Sequence, residues 1–327
     1  MRKVLVTGAS GFVGGHIVQT LRSQGLPVRC LVRPTSRLDF IKPFDPELAW
    51  GDVMEPETLG PAIEGADAVV HCAGVTKARS RSEYFRINES GTRNLFAAFL
   101  KRKGEISKIV HVSSLAAFGP SADGNPVTED TPPHPVGDYG ASKLAAQRLA
   151  ESHMDDLPVS IVVPPAVYGP RDPDFHVYFR FVARGFLPLL GREARHLSLI
   201  YAKDLAAAVA AVLTDERATG RAYLVEDGNV QTWTSIGQAI GSAMNRQPHS
   251  IHLPIVLVKG MAAVGDFTSK LTGKAWLLNS QKVREFTAQA WICSSRRIRD
   301  ELGFCPQYPL ARGIQETLAW YRENRWL

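Results

Sequence analysis

The chain's 327 residues are 45% hydrophobic and 21% charged, with a formal net charge of +6. That is enough apolar material for a large core, and at roughly 150 residues per domain it suggests about two domains, neither disordered nor fibrous. With no run of five Lys or Arg and no zinc-finger spacing, the charge reads as a mildly basic enzyme surface suited to anionic cofactors; neither a nucleic-acid partner nor a metal site is expected.

Short β-branched runs alternate with amphipathic stretches through the N-terminal half. The pattern predicts strands over 4–6, 28–32, 68–71, 108–112 and 159–163, with another ending just before Gly51. It predicts helices over 14–24, 56–64, 88–101 and 139–152. Such alternation implies βαβ units, and near-continuous apolar strands imply a parallel sheet covered on both faces. After Pro164-Pro165, Pro and Gly punctuate 164–191, which predicts loops and short helices. A helix is expected over 204–213, a strand over 222–225, and mainly helical patches over 233–327. The fold class expected is α/β, a doubly wound Rossmann-type parallel sheet with a smaller, mostly helical C-terminal part. Residues 1–165, with 198–225 returning to them, would bind dinucleotide; 166–197 and 226–327 would bind substrate.

Cys30, Cys72, Cys293 and Cys305 make no CxxC pair and do not amount to a disulfide scaffold, so a reducing, cytoplasmic setting fits. Met1-Arg2-Lys3 leads straight into a strand and leaves no space for the apolar region of a signal peptide. The apolar stretch 253–264 is interrupted by Lys259 and Gly260 and is too short to span a bilayer; it reads as a core or lid helix.

The strongest local signal is Thr7-Gly8-Ala9-Ser10-Gly11-Phe12-Val13-Gly14, between the first strand and the first helix. Gly8 suits a tight turn, Gly11 lets backbone approach a pyrophosphate, and Gly14 permits close packing of helix on strand. Around Ser10, Phe12 and Val13 the helix start offers free N–H groups and its dipole to phosphates. The second strand ends at Arg33 where NAD-preferring proteins place an acid on the ribose 2′-hydroxyl. A guanidinium there suits a 2′-phosphate, so NADP is expected, with NAD as the alternative if Arg33 stacks on the adenine instead.

Tyr139-Gly140-Ala141-Ser142-Lys143 puts a tyrosine and a lysine four residues apart, on one helix face. A phenol titrates near pH ~10, and an adjacent ammonium would favour its ionised form. Ser113 and Ser114 end the fifth strand, where a hydroxyl could steady charge on a substrate oxygen.

The GxxGxxG spacing resembles that of the extended branch of the short-chain dehydrogenase/reductase superfamily, and the resemblance covers nearly the whole chain. It selects Ser114 over Ser113 and implies a catalytic set of Ser114, Tyr139 and Lys143. It also implies that Asp52, beside Val53, bonds the adenine amino group. Cys72, Ala73 and Gly74 would then form the turn under the cofactor ribose and phosphate. Backbone near Pro165 and Val167 would hold the nicotinamide carboxamide, and Asn88 would support a relay behind the site. A homodimer is usual in that family.

Two positions depart from the sugar-nucleotide epimerases of that branch. Ala166 stands where they usually carry Asn, and Leu197 where they tend to carry Arg, although Arg171, Arg192 or Arg195 could compensate. Phe175, Tyr178, Phe179, Phe181, Phe186, Leu187, Leu189 and Leu190 would line a pocket for an apolar ligand or form the core of the small domain. Two activities follow: a dehydrogenase or reductase of a secondary alcohol or ketone, or a nucleotide-sugar epimerase or dehydratase with tightly bound NAD.

Overall fold

The computed structural model describes residues 3–272 and 280–327. The N-terminal part runs β1 (Val4–Thr7), α1 (Phe12–Ser23), β2 (Val28–Val32), β3 (Glu47–Trp50), α2 (Pro56–Ile63) and β4 (Ala68–His71). There follow α3 (Arg81–Tyr84), a π-helical stretch Phe85–Ser90, α4 (Gly91–Leu100), β5 (Lys108–Val112), α5 (Leu115–Phe118), α6 (Asp138–Glu151) and β6 (Val159–Val163). Next come β7 (Ala166–Tyr168), α7 (Pro173–Ala183), β8 (Phe186–Leu190), β9 (His196–Tyr201), α8 (Ala202–Thr214) and β10 (Ala222–Leu224). The C-terminal part comprises β11 (Val230–Thr232), α9 (Trp233–Ala243), β12 (His249–Leu253), α10 (Ile255–Thr272), α11 (Ser280–Thr287), β13 (Ala290–Trp291), α12 (Arg296–Leu302) and α13 (Leu310–Glu323).

Seven strands form one parallel sheet in the order β10-β6-β5-β4-β1-β2-β3. Strands β1, β4, β5 and β6 are buried at every residue, as two-sided coverage requires. One face packs on α1 and α8 through Ile17, Leu21, Leu205, Val209 and Val212. The other packs on α2, α4 and α6 through Leu59, Phe96, Phe99 and Leu144. From β1 the chain builds outward to β2 and β3, then returns to β4 on the other side of β1. The reversal leaves a crevice at the carboxyl ends of β1 and β4, where doubly wound sheets bind ligands.

A third core lies beyond the sheet. Tyr168, Phe179, Leu187, Tyr201, Ile236, Ile314 and Tyr321 pack between α7, α9, α13 and two small sheets. In one of these β9 pairs with β7, β11 and β13; in the other β8 pairs with β12. The stretches expected as loops and helical patches therefore contain the strands β7, β8, β12 and β13. They are two to five residues long and pair with distant partners, so no local period announces them. The part of the helical expectation that falls on 273–279 lies outside the described residues, as do Met1 and Arg2 of the expected N-terminal run.

Asp204 and Tyr321 are among the groups that join the C-terminal segment to the rest. Buried Asp204, in the first turn of α8, accepts hydrogen bonds from the backbone N–H groups of Gln307 (2.8 Å) and Tyr308 (3.0 Å). The buried hydroxyl of Tyr321 donates to the carbonyl of Asp172 at 2.6 Å. Both bonds are part-buried, and a hydrogen bond to a charged group contributes about 1 kcal/mol or more. Asp204→Ala removes both, so thermal unfolding should show a loss of about 2 kcal/mol and a melting temperature lower by a few degrees. An unchanged melting temperature would show that these two bonds do not hold the C-terminal segment.

Candidate active site

The glycine turn is shaped by close approach. Gly8 has a φ of 68°, and a Cβ there would lie 2.7 Å from the backbone of Cys72 and Ala73. A Cβ on Gly14 would lie 2.1 Å from the carbonyl oxygen of Gly8, so only glycine lets α1 start this close to β1. Gly11 caps α1 without a side-chain hydrogen bond, and the first turn carries no acidic residue. The open N–H groups at the start of α1 and the positive end of its dipole therefore suit an anion. Ser10, Gly11, Phe12 and Val13 stand at the surface of this turn. These features fit the pyrophosphate of a dinucleotide.

At the far end of the crevice the Arg33 guanidinium lies 3.7 Å from the Asp52 carboxylate. The Arg33 side chain is 63% exposed and free to reorient, while Asp52 accepts a 2.9 Å bond from the Met54 N–H. Val53, buried next to Asp52, packs against α4 through Gly91. Arg33 and Asp52 are thus brought together beyond the ends of β2 and β3. Lys77, in the loop after β4, pairs with Asp174 on α7 at 2.5 Å.

The remaining candidate residues converge on the carboxyl end of β5. Ser114 caps α5, and its hydroxyl accepts from the Ala116 N–H at 3.2 Å. The Ser114 side chain also lies within hydrogen-bond reach of the Tyr139 phenol, an interaction that favours the phenolate. The sequence explains why these two meet. A Cβ on Gly140 would lie 2.2 Å from the Ala116 carbonyl oxygen, so the glycine after Tyr139 lets α6 press directly on α5. One turn on, buried Lys143 donates from Nζ to the Val112 carbonyl at 2.8 Å. Pro165 and Val167 follow β6, Val167 within β7.

A polar network runs beneath these groups. The Ala73 N–H donates to Thr7 Oγ1 at 3.2 Å, and Thr7 Oγ1 meets His71 Nδ1 at 2.7 Å. His71 Nε2 meets Thr92 Oγ1 at 2.9 Å, and that hydroxyl donates to the Asn88 carbonyl at 2.6 Å. Because the Thr92 proton goes to Asn88, the ring proton of His71 belongs on Nε2 and Thr7 donates to Nδ1. The Asn88 side chain accepts from the Val75 N–H (2.8 Å) and donates to the Val75 carbonyl (3.1 Å) and to Ser142 Oγ (2.9 Å). Ser142 donates onward to the Tyr139 carbonyl at 2.8 Å. Asn88 therefore clamps backbone and α6 directly. Ser142, Tyr84 and Glu285 near the tyrosine were not among the candidate residues. The Tyr84 ring lies 6.1 Å from that of Tyr139, and the Glu285 carboxylate on α11 acts on the phenol electrostatically. Ser142 lay inside the YxxxK run and could have been found there. Glu285, far along the chain, had no local signal.

Electrostatics correct one expectation. Burial pushes the Tyr139 phenol up to about 12, and the Ser114 hydrogen bond opposes it only in part; Glu285, Cys72 and Tyr84 also raise it. Lys143 is not among the groups that act most strongly on the phenol, and burial pulls it down to about 8, still charged at pH 7. His71 falls to about 3 and His111 well below its usual value, mainly through burial and then through the charge on Lys143. Both imidazoles are neutral at pH 7, and the phenol holds its proton.

An unfolded lysine keeps its proton up to pH ~10.5, whereas buried Lys143 loses it near 8. Its burial therefore costs about 3 kcal/mol at pH 7, fully felt below pH 8 and fading as pH rises toward 10.5. Lys143→Met removes that cost but also a hydrogen bond of about 1 kcal/mol. The variant should be about 2 kcal/mol more stable than the parent at pH 7, with an advantage that shrinks between pH 8 and 10. Denaturant unfolding at both ends of that range checks this; a variant less stable at pH 7 contradicts it.

Among the described residues no cluster of His, Cys, Asp and Glu could hold a metal ion. Residues 4–225 match the model of the NAD dependent epimerase/dehydratase family. The chain is 32% identical to a ceramide reductase of Caulobacter vibrioides (strain NA1000 / CB15N), across 99% of this chain and 96% of that one. It is 27% identical to the N-acetyl-alpha-D-glucosaminyl-diphospho-ditrans,octacis-undecaprenol 4-epimerase of Escherichia coli O157:H7, across 96% and 94%. A crystal structure of dTDP-glucose 4,6-dehydratase from Bacillus anthracis str. Ames in complex with NAD superposes with a TM-score of 0.80 at 20% identity, covering 99% and 98%; it shows the shared fold. With its doubly wound sheet, its glycine turn at the switch point and this family match, the chain belongs to the NAD-dependent epimerase/dehydratase family and is an enzyme of the extended short-chain dehydrogenase type.

Proposed function

We propose that the chain is an NADP-preferring reductase, or dehydrogenase in reverse, of a ketone or secondary alcohol on a lipid-like substrate, with Tyr139 as the general acid and base. The observation that carries this is the hydrogen bond between Ser114 and the Tyr139 phenol, one helical turn from Lys143. When bound, the nicotinamide supplies the electron pair exchanged with the substrate carbon. The chain supplies the proton. A phenol held neutral to about 12 is a proton donor at pH 7, which suits reduction of a ketone. Ser114 orients the phenol and can donate to the same substrate oxygen as charge grows there. Lys143, at about 8, keeps a positive charge at pH 7 one helical turn from Tyr139.

The dinucleotide would lie with its pyrophosphate over Gly8, Ser10, Gly11, Phe12, Val13 and Gly14. Asp52 and Val53 would take the adenine; Cys72, Ala73 and Gly74 the ribose side; Pro165 and Val167 the nicotinamide end. Arg33 favours NADP because its exposed fork can leave Asp52 for a 2′-phosphate. Residues 166–197 and 226–327 would face the substrate. Phe175, Phe179, Leu187 and Leu189 are spent in the third core, but Val177, Phe181 and Phe186 remain exposed at 42%, 39% and 46%. The two relatives named for ceramide and undecaprenol substrates favour a long hydrocarbon chain as the matching ligand.

Tyr139→Phe should lower turnover of a ketone panel by about 10²–10⁴ while cofactor affinity stays unchanged, as read by nicotinamide absorbance and fluorescence titration. Turnover that survives the change, or cofactor that copurifies and inverts a sugar without net redox change, would replace this reading with another. Arg33→Asp should weaken NADP by about 10–100-fold and NAD far less. Equal losses for both would remove the 2′-phosphate assignment.

A further inference from the structure

Helix α10 opens with Ile255-Val256-Leu257-Val258-Lys259-Gly260-Met261-Ala262. Its first turns are apolar on every side, a pattern that in a water-facing protein belongs to a buried helix. Only one side is buried here. Ile255 packs against Gly191 at the end of β8, Val258 is half-buried and Ala262 is fully buried. On the opposite sector Val256 is 82% exposed, Leu257 56% and Met261 55%, with Lys259 at its border. The strand leading into the helix adds Ile251 at 43% and Leu253 at 37%. This patch is built from neighbouring side chains, not from scattered single residues.

We propose that this face of α10, with the end of β12, docks on an anionic bilayer surface. Charge selects that occupant. From 229 to 265 the sequence contains no Asp or Glu, while Arg246, Lys259, His249 and His252 lie within it. His249, His252 and Lys259 are exposed, His252 through a 2.7 Å contact of its Nδ1 with the Gly191 carbonyl. An apolar sector bordered by Lys259, on a stretch of chain without Asp or Glu, is complementary to acyl chains beneath anionic headgroups. A second copy of the chain is a poorer fit. Three exposed side chains on two turns, with two more on the strand, fall short of the roughly 800 Å² per partner of a stable interface. No helix among the described residues is long and apolar enough to cross a membrane, so α10 would lie on the bilayer, not through it. Docking there would turn α11, which packs on α10 and carries Glu285 toward Tyr139, to the bilayer side.

The test uses the full chain and vesicles, and it stands apart from the Tyr139 chemistry because no turnover is measured. Flotation with vesicles of phosphatidylcholine plus phosphatidylglycerol should carry the protein up, and pure phosphatidylcholine should carry several-fold less. Raising salt should weaken the anionic binding. The triple change Val256→Glu, Leu257→Glu and Met261→Glu should cut vesicle binding about tenfold or more, since like charges would then face the headgroups. Lys259→Glu alone should reduce it less, and melting curves of both variants should match the parent because all four side chains are exposed. Absence of binding to anionic vesicles by the parent, or equal binding by the triple variant, overturns the proposal. So does a dimer in sedimentation equilibrium that the triple change dissolves, because that face would then belong to a second copy.

Discussion

Asn88 decides how the two halves of the candidate active site face each other. Its amide grips both backbone groups of Val75, just beyond the β4 turn, and with the same nitrogen reaches Ser142 on α6. A Cβ on Gly74 would come within 3.0 Å of its oxygen, so the neighbouring chain has no slack. Through Ser142 the constraint passes to the carbonyl of Tyr139; through its own carbonyl and Thr92 it passes to His71 and Thr7. The strand that ends in the glycine turn and the helix that carries the phenol are therefore registered by buried hydrogen bonds. Each would leave a donor or acceptor stranded if it broke.

Registration comes with an electrostatic cost that the site accepts. Lys143 and two histidines lie under α6, and His111 has no hydrogen-bond partner for either ring nitrogen among the described residues. Two neutral imidazoles beside one buried ammonium are tolerable only because neither ring protonates. The ammonium survives burial through the Val112 carbonyl, which also fixes where its charge sits. Stability is thereby traded for a buried positive charge at the carboxyl end of β5.

What could be read in advance follows from what was local. Strands β2, β4, β5 and β6 begin and end where the apolar runs do, because a strand covered on both faces has no polar alternation to blur its limits. The glycine turn and the Tyr139–Lys143 pair are each contained in a few residues whose spacing carries the geometry. Strand β12 is exposed at all five positions and exists only because β8 runs beside it, so no pattern within it could announce a strand. The acidity of Tyr139 was misread for a related reason. Spacing puts a lysine on the same helix face, but whether burial or charge wins depends on Glu285, Cys72 and Tyr84, which arrive from other elements.

Helix α7 is tied to the rest of the chain at its first turn. Asp172 caps α7 by accepting from the Asp174 N–H at 2.8 Å, and burial pushes its carboxyl up to about 7. Its carbonyl meanwhile receives the Tyr321 hydroxyl from α13, and Asp174 in the next turn holds Lys77 from the loop after β4. The buried Tyr321 link excludes water and is rigid, whereas the Lys77–Asp174 pair is more than half exposed and worth little on its own. Helix α7 is thus anchored firmly toward the C-terminus and only lightly toward the crevice. If the substrate side adjusts to its ligand, the movement should occur at the Lys77 contact, where parting the ions costs least, and not at Tyr321.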